Sequence, residues 1–283
     1  MQLSKPLQIC FGIKLYTFLC SNPLILFCGK RFGSTCRPSS YSVQTHKKRQ
    51  DLTISTLVLS KGFHNKVRIL DHNKFYLKRL LTDDHDQVVG LTLRNSVTNE
   101  PSLTSLGMTK KEKGNFLLRG IRRLLKQNNC IGIVNKSTET LIGVVMLEIA
   151  DSFSGFELSS HLPRLTLTLV EFDKFLETNL EKYIKGSRFC CLSGLVIDQT
   201  YCRLGLASIL LRKSDEIAIE FNCQYMVVVV ATSVYSQKIL ENQGYSVCYE
   251  TKYSDYVHPQ TGEKPFVYDV HPHTHIKSYY KVL

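Results

Sequence analysis

One stretch of the sequence leaves few folds open. The apolar run Phe189–Ile197 enters a polar turn at Asp198–Leu204, then a helical segment at Gly205–Phe221, then the run Tyr225–Val230. Leu206, Leu210, Leu211, Ile217 and Ile219 fall near one side of that helix. The second run holds four consecutive valines, the pattern of a strand buried on both faces. A chain with this centre implies a sheet with helices packed on its faces.

The flanking sequence supplies more of the same. Phe75–Leu80 reads as a first strand. A helix starts at Thr82-Asp83, with Asp86 at capping-box spacing from Asp83 and an apolar side of Val88, Val89, Leu91 and Leu93. It ends before Asn99-Glu100-Pro101, because proline disfavours helix in the residue before it. Thr109-x-x-Glu112 is a second capping box, and one helix is expected from there to Asn128-Asn129. Ile131–Val134 and Leu141–Ile149 read as a hairpin, and Val170–Ile184 as a helix ended by Lys185-Gly186. Ser233–Asn242 is a short helix closed by Gly244, with Ser233 the best cap. Tyr245–Tyr253, Phe266–His271 and Ile276–Val282 read as strands. The expectation is a mixed sheet flanked by helices.

Charge divides the chain. The net charge is +12, of which residues 1–50, with eight Lys and Arg and no acid, carry +8 and the remainder +4. A mildly basic body attracts an anionic ligand but has no nucleic-acid reading motif, so no nucleic-acid partner is expected. The rival, a nucleic-acid binder using the first 50 residues, would show salt-sensitive binding lost with them. The apolar runs Ile9–Cys20 and Leu24–Cys28 are broken by Lys14 and Asn22-Pro23. Both fall short of the ~20 apolar residues of a spanning helix, so no membrane span is expected. Residues 1–70 read as a basic extension, disordered or targeting, and 71–283 as the folded domain. A cytoplasmic protein is expected, or a mitochondrial one if residues 1–60 are a transit peptide. The ten cysteines form no C-x-x-C pair and read as reduced, mostly buried thiols.

The strand–turn–helix at 194–208 carries the chemistry. Free N–H groups at a helix N-terminus bind phosphate, and small residues such as Gly205, Ala207 and Ser208 let it approach. Arg203 adds charge at the same place. This segment resembles motif A of the GNAT acetyltransferase superfamily, whose loop reads Gln/Arg-x-x-Gly-x-Gly/Ala. Gly205 and Ala207 match the last two fixed positions, and Cys202 departs from the first. The segment Ala231–Tyr245 is similar to the corresponding part of arthropod arylalkylamine N-acetyltransferases, the dopamine- and serotonin-acetylating enzymes. So are Phe75–Leu80 with Asp86, Val89 and Asn99-Glu100-Pro101-Ser102-Leu103, and, downstream, Tyr253 to Tyr256, Gly262, Phe266 and Pro272-His273. The resemblance covers about residues 74–283.

That resemblance implies the α/β (α+β) GNAT acyl-CoA N-acyltransferase fold: a mixed, mostly antiparallel sheet of about seven strands flanked by helices. It implies acetyl-CoA as cosubstrate and a small aromatic amine (dopamine, serotonin, tyramine or octopamine) as acceptor. It also implies direct transfer in a ternary complex. Leu195, Val196 and Ile197 would meet the pantetheine arm through main-chain groups. Arg203, Leu204, Gly205, Leu206, Ala207 and Ser208 would hold the pyrophosphate. An alkylammonium of pKa roughly 10 must lose a proton before it attacks, and a departing thiolate is helped by a donor. Glu100 is the candidate base, Ser236 the candidate acid, and Thr232 the second hydroxyl; Ser233 is an alternative to Thr232, and helix capping competes for all three hydroxyls. A Tyr acid at the position held here by Leu240 is excluded. His271, His273 and His275 alternate, but no acidic or Cys partner lies near, and no metal is expected. A monomer is expected. Two alternatives stand beside this reading: the same fold acting on a polyamine or other amine, and a CoA-binding homologue impaired by Cys202.

Overall fold

The computed structural model describes residues 69–118, 120–153 and 162–283. The extension expected over residues 1–70 therefore lies outside the described residues, apart from Ile69 and Leu70; Leu70 is buried in the core.

Seven strands form one sheet: β1 (Phe75–Arg79), β2 (Ile131–Asn135), β3 (Thr140–Ala150), β4 (Phe189–Ile197), β5 (Tyr225–Ala231), β6 (Ser246–Lys252) and β7 (His275–Val282). Their order is β1-β2-β3-β4-β5-β7-β6. All neighbours run antiparallel except β4 and β5, which are parallel. The connection between those two is the helix α6 (Leu206–Glu220), as a parallel pair requires a crossover.

Six more helices complete the layers: α1 (His85–Ser96), α2 (Pro101–Ser105), α3 (Lys110–Leu118), α4 (Ile121–Lys126), α5 (Arg164–Ile184) and α7 (Val234–Asn242). On one face Leu206, Leu210 and Ile217 of α6, with Leu240 of α7, pack against Ile133, Val145, Leu195 and Met226. On the other, α1 and α4 cover Val144, Met146 and Val196, while α5 covers Phe189, Cys191 and Val227. Cys190 and Cys191 face opposite layers, as adjacent strand residues must. The six described cysteines are free thiols.

Local chemistry explains most boundaries. Thr109 and Glu112 form the expected reciprocal cap: Thr109 N donates to Glu112 Oε2 at 2.8 Å and Glu112 N to Thr109 Oγ1 at 3.3 Å. Lys185 and Gly186 both take left-handed backbone conformations and end α5.

Four expectations need correction. Asp84, not Asp86, closes the first cap, accepting from Leu81 N at 3.0 Å. The second expected helix is two, α3 and α4, because Gly120 sits at φ 80° and no continuous helix passes through that conformation. The helix expected from Val170 begins at Arg164. Phe266–His271 is no strand: Val267 and Tyr268 give their N–H groups to Ser105 O, both at 3.0 Å, so they bond to α2 instead of the sheet.

Candidate active site

The site grows from an irregularity in β4. Met146 pairs with Gly194 and Leu147 with Leu192, so Ser193 is an extra residue, a β-bulge. The bulge reverses the alternation. Before it Cys190 and Leu192 face α6; after it Leu195 and Ile197 do. The β4–β5 ladder also stops there, since its pairs are Phe189–Tyr225, Cys190–Met226 and Cys191–Val227. Beyond Cys191 the two strands diverge. β5 turns toward β7 through a bulge between Val228 and Ala231, and Ser278 Oγ donates to Val229 O within it.

Leu195, Val196 and Ile197 therefore keep β3 on one side and have no β5 pairing on the other. Their side chains are buried, and their β5-side backbone edge lines the gap. At the open end of the gap Arg203 (φ 66°) and Gly205 (φ 80°) bend the chain into the start of α6. The N–H groups of Leu206, Ala207 and Ser208 are the first of this helix and have no carbonyl within it to reach. Leu206 is buried, Ala207 and Ser208 are half-buried, and Leu204 is exposed. Cys202 is half-buried, its thiol 3.7 Å from Asp198 O.

A short segment bridges the gap from β4 to β5. Asn95, near the end of α1, accepts from Gln199 N at 3.1 Å, just beyond β4. Five residues later Glu100, only 3% exposed, receives Thr232 Oγ1 at 3.2 Å, just beyond β5. Glu100 is also the N-cap of α2, with Pro101 at the first helical position. Its Oε1 accepts from Ser102 Oγ at 2.8 Å and Ser102 N at 3.3 Å. Three donors thus converge on this one carboxyl.

Lys113 supplies a cation. It is buried, its Nζ donates to Thr104 Oγ1 at 2.8 Å, and that hydroxyl donates to Glu100 O at 2.8 Å. Burial pulls its pKa down, and attraction to Glu100 opposes that. Tyr253 donates to Thr232 O at 2.9 Å; burial, then the Glu100 charge, pushes its pKa up, so it stays a phenol.

The expected hydroxyls separate. Ser233 is the helix cap, accepting from Ser236 N at 3.1 Å, and its Oγ lies 2.9 Å from Ser236 Oγ. Thr232 faces Glu100 instead. Ser236 sits one turn into α7 and is buried. Leu240 is core. Val234 N, at the start of α7, donates to His273 Nδ1 at 3.3 Å, which requires a neutral ring. Burial lowers the pKa of His273, which favours that form. Of the three histidines only His275 lies in a strand, so they do not alternate along one, and no metal-binding group occurs among the described residues.

The resemblance included Ser102 and parts of the segment 253–274 but gave them no role in the site, and Lys113 was not singled out. Glu-Pro-Ser at 100–102 was a legible cap-and-start signal for α2. Lys113 carried no signal, because a Lys inside a helical run reads as a solvated face. The segment 253–274 holds both sides of the site. It binds Ser105 of α2 through Val267 and Tyr268, and the start of α7 through Tyr253 and His273.

No protein-family model matches this sequence, and no curated protein matches it. Solved structures do. Arylalkylamine N-acetyltransferase 2 from Aedes aegypti superposes with a TM-score of 0.65 at 24% identity, over 74% of this chain and 98% of that one. The chain has the GNAT fold. Two other solved structures match the same 74% of this chain. The Drosophila melanogaster polyamine N-acetyltransferase that forms N-acetylagmatine gives a TM-score of 0.62 at 16% identity, over all of that chain. The C-terminal condensation domain of Ebony, solved with β-alanyl-dopamine, gives 0.59 at 16%, over 99% of its length. Among the described residues no helix is long and apolar enough to cross a membrane.

Proposed function

We propose that this protein transfers an acetyl group from acetyl-CoA to the nitrogen of a primary amine, and that the acceptor is an arylalkylamine. The Glu100–Thr232 contact at the open end of the β4–β5 gap is the observation that carries this reading. It sets a carboxylate beside a strand edge able to take an extended amide-bearing arm. The fold neighbours support the same chemistry.

The residues fit the cosubstrate. The unpaired edge of Leu195, Val196 and Ile197 offers main-chain groups to the pantetheine amides. Arg203 and the loop Leu204–Ser208 offer the α6 N-terminus and a guanidinium to the pyrophosphate. Acetyl-CoA supplies an activated thioester. Glu100 pairs with the incoming ammonium, takes its proton directly or through water, and releases the neutral amine that forms the C–N bond. Ser236, with Thr232 as the second hydroxyl, would pass a proton to the departing sulfur as the C–S bond breaks, and the nitrogen, which sheds its second proton as the amide forms, would replace it. One proton passes to Glu100 for each amide formed, and free CoA leaves as the thiol. The protein acts as a monomer in the cytoplasm, or in the mitochondrion if residues 1–60 direct it there.

The fold neighbours also include polyamine and agmatine N-acetyltransferases, so the acceptor class is the open variable. A panel of dopamine, serotonin, tyramine, octopamine, agmatine and spermidine, each scored by mass of the acetylated product, tests it. Higher kcat/KM for the four aromatic amines supports the proposal. Preference for agmatine or spermidine moves the protein to the polyamine class, and no product with any amine overturns the transferase reading.

A further inference from the structure

Glu100 is not the only charge on its side of the gap. Lys113 of α3 is 7% exposed, and no more than two hydrogen bonds of 2.8 Å, meeting at Thr104 Oγ1, separate its ammonium from the Glu100 carbonyl oxygen. Among the described residues no carboxylate stands within ion-pair distance of it. Glu112, next to it in sequence, is taken up in the α3 cap, where Thr109 N and Thr109 Oγ1 donate to it at 2.8 and 2.7 Å. The charge that draws Lys113 is Glu100, and Lys110 on the same helix repels it.

The surroundings are apolar. Leu103, Leu106 and Met108, from α2 and the turn after it, belong to one buried cluster with Tyr253, Tyr256 and Phe266 of the facing segment. Charges set among such groups act on one another strongly and are screened little by salt. The acids of α5 act elsewhere. Glu171 and Asp173 act on Tyr256, and Glu171 is bonded to His258 Nε2 at 2.9 Å. The negative charge acting on Tyr253 and Lys113 is that of Glu100.

We propose that Lys113 fixes the charge of the acceptor, selecting amines with a single ammonium over those that carry a second cation. This inference rests on the transfer reading above and names the acceptor class within it. The charges of Glu100 and Lys113 cancel, which leaves the pair without net charge before an amine enters. A monoamine brings one charge, pairs with Glu100 and gives up its proton on the way to the amide. A diamine or a guanidinium-bearing amine keeps a second cation throughout. On a short chain that cation stays near Glu100, meets the like charge of Lys113, and finds no spare carboxylate among the described residues beside it. An uncharged residue in place of Lys113 leaves Glu100 uncancelled, which suits a second cation.

The test is a ratio of kcat/KM at neutral pH, with the full chain and saturating acetyl-CoA. The two acceptors are p-(hydroxymethyl)phenethylamine and p-(aminomethyl)phenethylamine, alike in shape and different by one charge. An amine that gives no product is scored by its inhibition of dopamine acetylation. Wild type prefers the hydroxymethyl amine, Lys113→Met narrows that preference on the order of tenfold, and Lys113→Arg restores it. Loosened packing or a shifted Glu100 pKa moves both amines together and leaves the ratio alone. An unchanged ratio in Lys113→Met overturns the proposal, as does a wild-type preference for the dication. Product from neither amine nor from dopamine overturns the transferase reading itself. If Lys113→Met does not fold, Lys113→Gln, which keeps a donor for Thr104, carries the test. If neither folds, the wild-type ratio decides, and a value near one overturns the proposal.

Discussion

Thr232 Oγ1 donates to Glu100 Oε2 over 3.2 Å, joining residues 132 positions apart. The contact ties the end of β5 to the N-cap of α2, and with it the two sides of the sheet's open gap. Thr232→Val removes the donor at nearly constant shape. The account expects kcat to fall about tenfold to a hundredfold with acetyl-CoA KM little changed, since a lost hydrogen bond to a charged group is worth about 1.5–3 kcal/mol. Steady-state kinetics at saturating amine read this out.

Lys113 tests the electrostatics of Glu100. Its buried ammonium favours the Glu100 carboxylate, and the attraction is mutual. Lys113→Met removes that support, so the Glu100 pKa rises and the acidic limb of the pH–rate profile moves to higher pH. Lys113→Arg restores the limb even where overall activity stays reduced. An unmoved limb in Lys113→Met would confine this residue to packing α2.

Much of this arrangement was legible beforehand, for physical reasons that differ by residue. β4 and the Ser233 cap show plainly because apolar runs and capping residues act locally. The splay is less visible. Ser193 reads as one more strand residue, and only the register of β3 against β4 reveals it as the bulge. Phe266–His271 looks like a strand by composition, yet its N–H groups are taken by Ser105, a pairing 162 residues away in sequence for Val267. Lys113 was invisible because its role depends on a carboxyl brought close by tertiary folding.

Cys202 stands where the motif it resembles carries Gln or Arg, and it is half-buried beside the left-handed turn at Arg203. Cys202→Arg adds a guanidinium where phosphate oxygens are expected. The account expects acetyl-CoA KM to fall about threefold to tenfold with kcat nearly unchanged, the signature of binding shared by ground and transition states. Activity present only in the Arg variant would instead mark the natural chain as impaired.

Glu177 sets a pH dependence of stability. Its folded pKa is about 8 against an ordinary 4.5. Between those values the folded state holds a proton that the unfolded state has lost, so stability falls as pH rises through this window and is flat above it. Glu177→Gln removes this contribution. Relative to wild type it gains up to a few kcal/mol on going from pH 4.5 to pH 9, measured by denaturant unfolding at both pH values. A variant whose difference from wild type does not change with pH would mean that the Glu177 carboxyl titrates normally.

The central claim is that Glu100 accepts the proton of an amine about to be acetylated. The direct test is CoA-thiol release by the full chain with acetyl-CoA and dopamine, wild type beside Glu100→Gln, with thermal unfolding of both. The account predicts amine-dependent release by wild type, reduced about 10²- to 10⁴-fold in the variant at unchanged fold. Equal release by the two proteins would contradict it.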